Sequence, residues 1–431
     1  MRLSRALAAL LAASLLAGPA RAQAPDQPTP GSPERVYTLD DALRLIRNDP
    51  QLQSAQQDVI IADSRVTESE LRFLPDMGLQ ASASKFHSIY PFSLSQDFRN
   101  ILLFPNTPEN IYSSRAYFNL PLYEGQRTLN TYRLASAAQK QALARRDSVK
   151  MDLTLQVKEA FYGLLFAQEK DSESSAELAA VKRYAAEVKP GAWQAIEAEG
   201  AADEAAARAS QAAHDLQAAR LAFLKSLNLE LDTPFRVQGT LKTEPVKIPV
   251  ERAVLWAMEL RPELQSQTYK AQMDAIGVHL AMGRRYPTVY LAGDYELTAQ
   301  SFPLDKNNWD LTIGVKLPFT YDLWSQLQQK RAEQRQGQLT RSELQDKVRL
   351  EVHRAAASLD YWQQEFPRRE AQWKRLQELY DAAKDKPGTP LDKIRARESL
   401  LDLRLSYLTA VTQHLLARAR LARAVGREIA P

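Results

Sequence analysis

Lys189-Pro190-Gly191 returns letter for letter as Lys386-Pro387-Gly388, displaced by 197 residues, and Leu120-Pro121-Leu122 returns as Leu317-Pro318-Phe319 at the same displacement. Further towards the start, Asn48-Asp49-Pro50-Gln51-Leu52 is echoed by Leu260-Arg261-Pro262-Glu263-Leu264, and Phe73-Leu74-Pro75 by Arg285-Tyr286-Pro287, both displaced by 212 residues. The copies therefore differ mainly by about fifteen extra residues between Pro75 and Pro121. A repeat of this length means one structural unit used twice. It divides the chain into a first repeat at 37–231, a linker at 232–249 with three prolines, a second repeat at 250–426 and a short tail at 427–431.

Each copy reads as an amphipathic helix, two strands, a very long helix, a turn and a second long helix. Thr38-Leu39-Asp40-Asp41 opens the first helix with a capping hydroxyl and early acids, which suit the positive helix start. The pattern predicts one helix running on from Ala42 to Arg72, ended by Pro75. The strands are the clearest period-two text in the chain. Val289, Leu291, Gly293, Tyr295 and Leu297 alternate with Thr288, Tyr290, Ala292, Asp294 and Glu296; Trp309, Leu311, Ile313, Val315 and Leu317 alternate with Asp310, Thr312, Gly314 and Lys316. The first copy is weaker, with Met77, Leu79, Ala81 and Ala83 against Gly78, Gln80, Ser82 and Ser84, then Phe118, Leu120 and Leu122 against Tyr117 and Asn119.

Alternation alone also describes a soluble sandwich. Scarcity decides: four strands in 431 residues cannot build a sandwich, whereas strands of about nine or ten residues suit a membrane barrel completed by other subunits. On that reading Val289, Leu291, Leu311, Ile313 and Val315 face lipid, and Asp294, Glu296 and Lys316 face the lumen. The connection from about Lys85 to Ser114, with Tyr90-Pro91-Phe92, becomes an external loop whose aromatics either anchor at the membrane rim or pack within the loop.

From Tyr123 to Lys189 there is no proline and little glycine, and Tyr321 to Lys386 is interrupted once, at Pro367. Some 65 helical residues extend roughly 100 Å, more than a compact domain accommodates. Leu153, Val157, Ala160, Leu164 and Ala167 step by four and three, as do Val348, Val352, Ala355, Leu359, Trp362 and Phe366, and Leu401, Leu405, Leu408 and Leu415 continue the pattern. Such spacing predicts coiled-coil packing. The Lys-Pro-Gly triplets sit where each long helix reverses into the next. Pro367 predicts a kink or local break near Phe366 that the first copy lacks near Lys170.

The chain starts with Arg2 and Arg5, an apolar run from Leu7 to Leu16, and Gly18-Pro19-Ala20-Arg21-Ala22. This is the pattern of a secretory signal peptide at 1–22, cleaved after Ala22; the apolar run falls short of the roughly 20 residues a membrane anchor needs. Cleavage leaves 53 basic against 52 acidic residues, so the basic pI belongs largely to the leader and gives no argument for nucleic-acid binding. Residues 23–36, rich in Pro, Gln and Ser, read as a disordered linker. No later stretch reads as a transmembrane helix, so any insertion uses strands. There is no cysteine, which excludes disulfides, thiolate nucleophiles, cysteine metal sites and an N-terminal lipid acceptor.

Tyr37-Thr38-Leu39-Asp40-Asp41-Ala42 with Asn48-Asp49-Pro50, Phe73-Leu74-Pro75 before a strand, Leu120-Pro121-Leu122-Tyr123-Glu124-Gly125 after one, and Leu415-Leu416-Ala417-Arg418-Ala419-Arg420-Leu421 with Val425-Gly426 together resemble the TolC family of outer-membrane efflux proteins. The resemblance covers essentially the whole mature chain. It implies a mainly α protein with a small β part: a homotrimer in the outer membrane of a Gram-negative bacterium, each subunit giving four strands to one transmembrane β-barrel and its helices to a coiled-coil periplasmic tunnel closed at its far end. It also implies docking, at tips marked by Lys189, Pro190, Gly191, Lys386, Pro387 and Gly388, to a periplasmic adaptor protein and an inner-membrane pump of the RND, ABC or MFS type. Small molecules or polypeptides pass through, and no cofactor is implied.

The family usually places a small-residue turn after each tip glycine, then an acid four residues before an alanine. Glu197 with Ala201 and Asp392 with Ala396 keep that spacing, but Lys-Pro precedes both glycines and Arg395 stands where a second acid can occur. Glu197 and Asp392 either serve the positive helix start or form an acidic entrance ring in the trimer. His87, His214, His279, His353 and His414 are isolated from one another, and there is no glycine-rich phosphate loop or nucleophile elbow, so nothing points to an enzyme. The rival reading is a periplasmic coiled-coil adaptor; the duplicated hairpin and the lack of a β-rich domain after it disfavour that reading.

Overall fold

The structure, a computed structural model, describes residues 35–85, 110–188, 193–319, 321–384, 386 and 388–429. The expected signal peptide, most of the 23–36 linker and Tyr90-Pro91-Phe92 lie outside them. The elements run β1 (Arg35–Tyr37), α1 (Leu39–Leu45), a 3-10 turn (Ile46–Asn48), α2 (Pro50–Leu71), β2 (Asp76–Lys85), β3 (Asn110–Tyr123), α3 (Arg127–Ala186), α4 (Trp193–Ser226), β4 (Phe235–Val237), α5 (Val250–Leu260), α6 (Pro262–Gly283), β5 (Thr288–Ala299), β6 (Lys306–Lys316), α7 (Leu323–Ala383) and α8 (Pro390–Val425). The two displacements read from the motifs recur in the boundaries. A shift of 212 residues carries both ends of α2 onto α6, and a shift of 197 carries the end of α3 onto that of α7.

The single helix expected from Thr38 to Arg72 is instead two. Thr38 caps α1 reciprocally: its hydroxyl accepts the Asp41 N–H at 3.3 Å, and the Asp41 carboxylate accepts the Thr38 N–H at 3.2 Å. The chain then breaks at Asp49, whose ψ of 129° is extended. Pro50 is the cause, because proline disfavours helical geometry in the preceding residue yet suits the first position of a new helix. The Asp49 carboxylate accepts the Gln51 N–H at 2.7 Å and caps α2. The same break recurs at Arg261, before Pro262.

Strands β2, β3, β5 and β6 form one antiparallel sheet in the order β2-β3-β5-β6. Its register puts Met77 opposite Phe118, Leu120 opposite Leu291, Leu291 opposite Ile313 and Val289 opposite Val315. The apolar sets of all four strands thus share one face. Pro121 has no N–H to give the ladder, and the register shifts between it and Tyr123. The sequence reading missed a second sheet: β1 pairs in parallel with β4, which lies inside the presumed linker. Tyr37 and Phe235 from this pair pack with Leu153, Val157, Phe161, Leu164 and Phe223 in one core, so the end of the presumed disordered linker is structured too. The matching core of the second copy gathers Ala253, Ala257, Leu264, Val348, Val352, Leu359 and Leu421.

Helices α3 and α7, of 60 and 61 residues, each extend about 90 Å. Of the kink or local break expected at Pro367, the break is absent: the α7 helix runs on through it. Phe366 is buried against Ala410, Val411 and Leu415 of α8, and its ring lies 4.9 Å from that of His414. That burial holds the turn against the loss of one backbone hydrogen bond.

Where the helix breaks meet the long helices, charged groups tie four elements together. Arg261 reaches Glu263 at 3.1 Å and Glu351 of α7 at 2.7 Å, while Arg423 of α8 binds both Glu263 and Asp152 of α3. Burial pushes the Glu263 carboxyl up, but Arg423 and Arg261 outweigh it and hold it below the usual carboxylate range. Gly426, at φ 86°, closes α8 in the left-handed conformation. The tail folds back beyond it: Glu428 pairs with Lys158 at 2.7 Å, and the Ile429 carbonyl accepts from Arg418 at 2.8 Å.

Sheet and helices join at a point with no room for a side chain. Gly125 has φ +63°, and a Cβ there would lie 2.6 Å from the carbonyl oxygen of Gly283. Gly125→Ala is expected to cost at least about 1–2 kcal/mol from the left-handed backbone alone, with the clash added. Lowered thermal stability of the purified protein relative to an Ala substitution at Gly163, which has open space around it, is the check.

Candidate functional site

Two regions collect the residues singled out by sequence. The first is the sheet. Asp294, Glu296 and Lys316 lie on one face with Gln80, Arg115, Asp310 and Thr312, as the register requires. Arg115 donates to Asp294 at 2.7 Å, the Ser82 and Ser113 hydroxyls are 2.8 Å apart, and Thr312 donates to Asp310 at 3.1 Å. The opposite face presents Met77, Leu79, Trp309, Leu311, Ile313 and Val315 to the surroundings; Leu79 is 84% exposed and Ile313 70%. In water such a face has nothing to offset its exposure. Among the described residues β2 and β6 are each paired on one side only, leaving two open edges.

The second region is the end where the helical hairpins reverse. Lys189, Pro190, Gly191 and Pro387 lie outside the described residues, while Lys386 and Gly388 lie in the turn between α7 and α8. Asp392 and Glu197, equivalent by sequence, have different local roles. Asp392 belongs to the cap of α8: its carboxylate accepts the Thr389 hydroxyl at 2.6 Å, and its N–H donates to that hydroxyl at 3.2 Å. Glu197 of α4 pairs with Arg395 of α8. Lys393 of α8 lies 3.8 Å from Glu187 and over the Tyr184 ring, whose hydroxyl is 3.3 Å from that of Tyr380 on α7. Burial pushes the Tyr380 hydroxyl up to about 12. Val181, Ala198, Ala205, Leu391 and Ile394 form a small core here, joining α3, α4 and α8. Trp193 and Ile196, at the start of α4, remain exposed.

Above this core lies a group that the sequence reading passed over. Glu177 of α3 is 1% exposed, with Arg208 of α4 at 3.9 Å. The signal was available: carried past Ala167, the buried stripe of α3 runs through Ser174 and Glu177 to Val181, polar residues where a coiled-coil seam wants apolar ones. Among the described residues no group of acids and histidines is placed to hold a metal, and no helix is long and apolar enough to cross a membrane.

No protein-family model matches the sequence, and no curated protein is significantly similar to it. Solved structures are similar. The transmembrane channel CusC shares 14% identity over 95% of this chain and 99% of that one, with a TM-score of 0.76. VceC, an outer-membrane protein of Vibrio cholerae, shares 17% identity over 90% of this chain and 96% of its own, with a TM-score of 0.73. The outer-membrane channel MtrE of Neisseria gonorrhoeae, in its open state, shares 17% identity over 90% of this chain and 89% of its own, with a TM-score of 0.74. The likeness is one of fold: this chain has the architecture of the outer-membrane channels, long helices carrying a few strands.

The cap of α8 is open to direct test. Thr389→Ala removes the hydroxyl that both donates to Asp392 and accepts its N–H, and is expected to destabilise by about 1 kcal/mol. Thermal unfolding of the purified variant, with increased hydrogen exchange confined to the first turn of α8, is the measurement.

Proposed function

We propose that three copies of this chain form an outer-membrane export channel in a Gram-negative bacterium, with their sheets closed edge to edge into one barrel and their helices forming a periplasmic tunnel. The observation that carries this reading is the sheet: one exposed apolar face, one charged face and two open edges, mounted on a duplicated pair of helical hairpins. Lipid contains no water to satisfy an open strand edge, so a sheet that enters it must close, and four strands cannot close alone. The apolar face then meets lipid, while Asp294, Glu296 and Lys316 line the lumen. Small molecules or polypeptides pass through this space without chemical change, and no part of the reading requires an enzyme or a cofactor.

The turn residues Lys189, Pro190, Gly191, Lys386, Pro387 and Gly388 form the docking end for a periplasmic adaptor protein and, through it, an inner-membrane pump of the RND, ABC or MFS type. Splaying of the helix tips opens the tunnel there. An adaptor role for the chain itself fits poorly, because it leaves the apolar sheet face with no environment.

Fractionation of the native envelope should recover the protein in the outer membrane as a trimer; recovery as a soluble monomer would overturn the reading. Ile313→Arg places a charge on the lipid face at a cost on the order of 2–4 kcal/mol near mid-membrane, whereas Thr312→Arg on the other face costs little. The expected outcome is loss of the membrane trimer for the first variant alone. At the tip, Glu197 and Asp392 from three copies supply six carboxylates, offset by Arg395 and Lys393. Replacing both acids with alanine and recording reversal potentials across a salt gradient is expected to show a small loss of cation preference. An unchanged potential leaves Glu197 and Asp392 as pairing and capping groups only.

A further inference from the structure

Glu177 sits one helical turn from Val181 of the tip core, on the side of α3 that faces α4 and α8. Neither of its carboxylate oxygens has a hydrogen-bond partner among the described residues. From α4 it faces Arg208, whose Nη1 is buried without a partner while its Nη2 is taken by Glu204 at 2.6 Å. From α8 it faces Arg397, Glu398 and Asp402, and the Arg397 Nε is likewise buried without a partner. On its own helix the nearest acid along the buried side, Glu173, is held by Arg404 at 3.0 Å. Both oxygens of one carboxyl and one nitrogen from each of two guanidiniums are thus buried at a three-helix junction without the hydrogen bonds that ordinarily offset such burial.

An ionised carboxylate in that position leaves its solvation unreplaced, so the packed junction favours the neutral acid. Burial, working against Arg208 and Arg397, raises the Glu177 carboxyl to about 7. On α8 the buried His414 is pushed down to about 4 by burial and stays uncharged across the neutral range. Raised to about 7, the buried Glu177 carboxyl changes charge between mildly acidic and mildly alkaline conditions.

We propose that Glu177 is a proton-controlled latch on the helix tips, holding α8 against α3 and α4 when protonated and releasing it when ionised. Its meaning for opening rests on the channel reading, but its chemistry does not. The sign follows from linkage. The carboxyl binds its proton more tightly in the packed junction than in a hydrated, loosened one. The packed state is accordingly favoured most below the ordinary carboxylate value of 4.5, and that preference is lost as the pH rises through about 7. A difference of this size shifts the loosening equilibrium on the order of a hundredfold.

Hydrogen exchange of the purified full-length protein, corrected for intrinsic rates and followed from about pH 5 to pH 8.5, tests this around the group's midpoint. Wild-type protection of residues 174–205 and 391–405 is expected to fall with rising pH, whereas Glu177→Gln stays protected throughout and shows no midpoint. A wild-type profile flat with pH, or a Gln variant that keeps the same midpoint, overturns the proposal. Arg397→Gln provides a second reading in case the first variant folds poorly: removing that cation should move the midpoint upward, and an unmoved midpoint counts against the latch. Exchange reports the latch whether or not the protein conducts, so a failure here is distinguishable from a failure of the channel reading.

Discussion

A strand edge in hydrocarbon has no water to bond with. That single constraint organises the rest of the molecule as we read it, because the four-stranded sheet presents an apolar face suited to lipid and ends on two unpaired edges. On the channel reading closure comes from other copies, and closure around an axis carries the helices with it. On the same reading the length of α3 and α7 serves a tunnel wall in place of a compact core. Even the tight junctions follow, since the sheet must pass into the helices within a few residues, and Gly125 approaches Gly283 with no space for a Cβ.

Duplication provides this frame twice, but the copies have diverged where they meet different neighbours. The first copy is stapled by β1 and β4 and packs an aromatic cluster of Tyr37, Phe161, Phe223 and Phe235. The second fills the equivalent space with Ala253, Ala257, Val348 and Val352 and a docked tail. At the far end Asp392 caps its own helix while Glu197 reaches across to Arg395. Equivalence in sequence therefore does not give equivalence in charge at the tip.

Much of the architecture was legible because it rests on period. Alternation placed Asp294, Glu296 and Lys316 on one sheet face, and heptad steps marked Val157, Leu164, Val352 and Leu359 as buried. Features set by a single contact were harder to read. The break at Asp49 hides inside an otherwise helical pattern until the effect of Pro50 on its predecessor is weighed. The three-residue strands β1 and β4 are too short to show alternation, and they pair across nearly two hundred residues. Glu177 looks like any helix-surface acid unless the stripe is followed past Ala167, and the intact helix at Pro367 depends on what Phe366 packs against.

The ion-pair cluster around Glu263 fixes α3, α6, α7 and α8 to one another at a single level. From Arg423 to Pro390, α8 runs on for about 50 Å. A rotation of about 5° about that level would carry the far end of α8 through about 4 Å. Small changes of angle at that level are therefore geometrically amplified at the helix tips, while the sheet on the other side of it need not move.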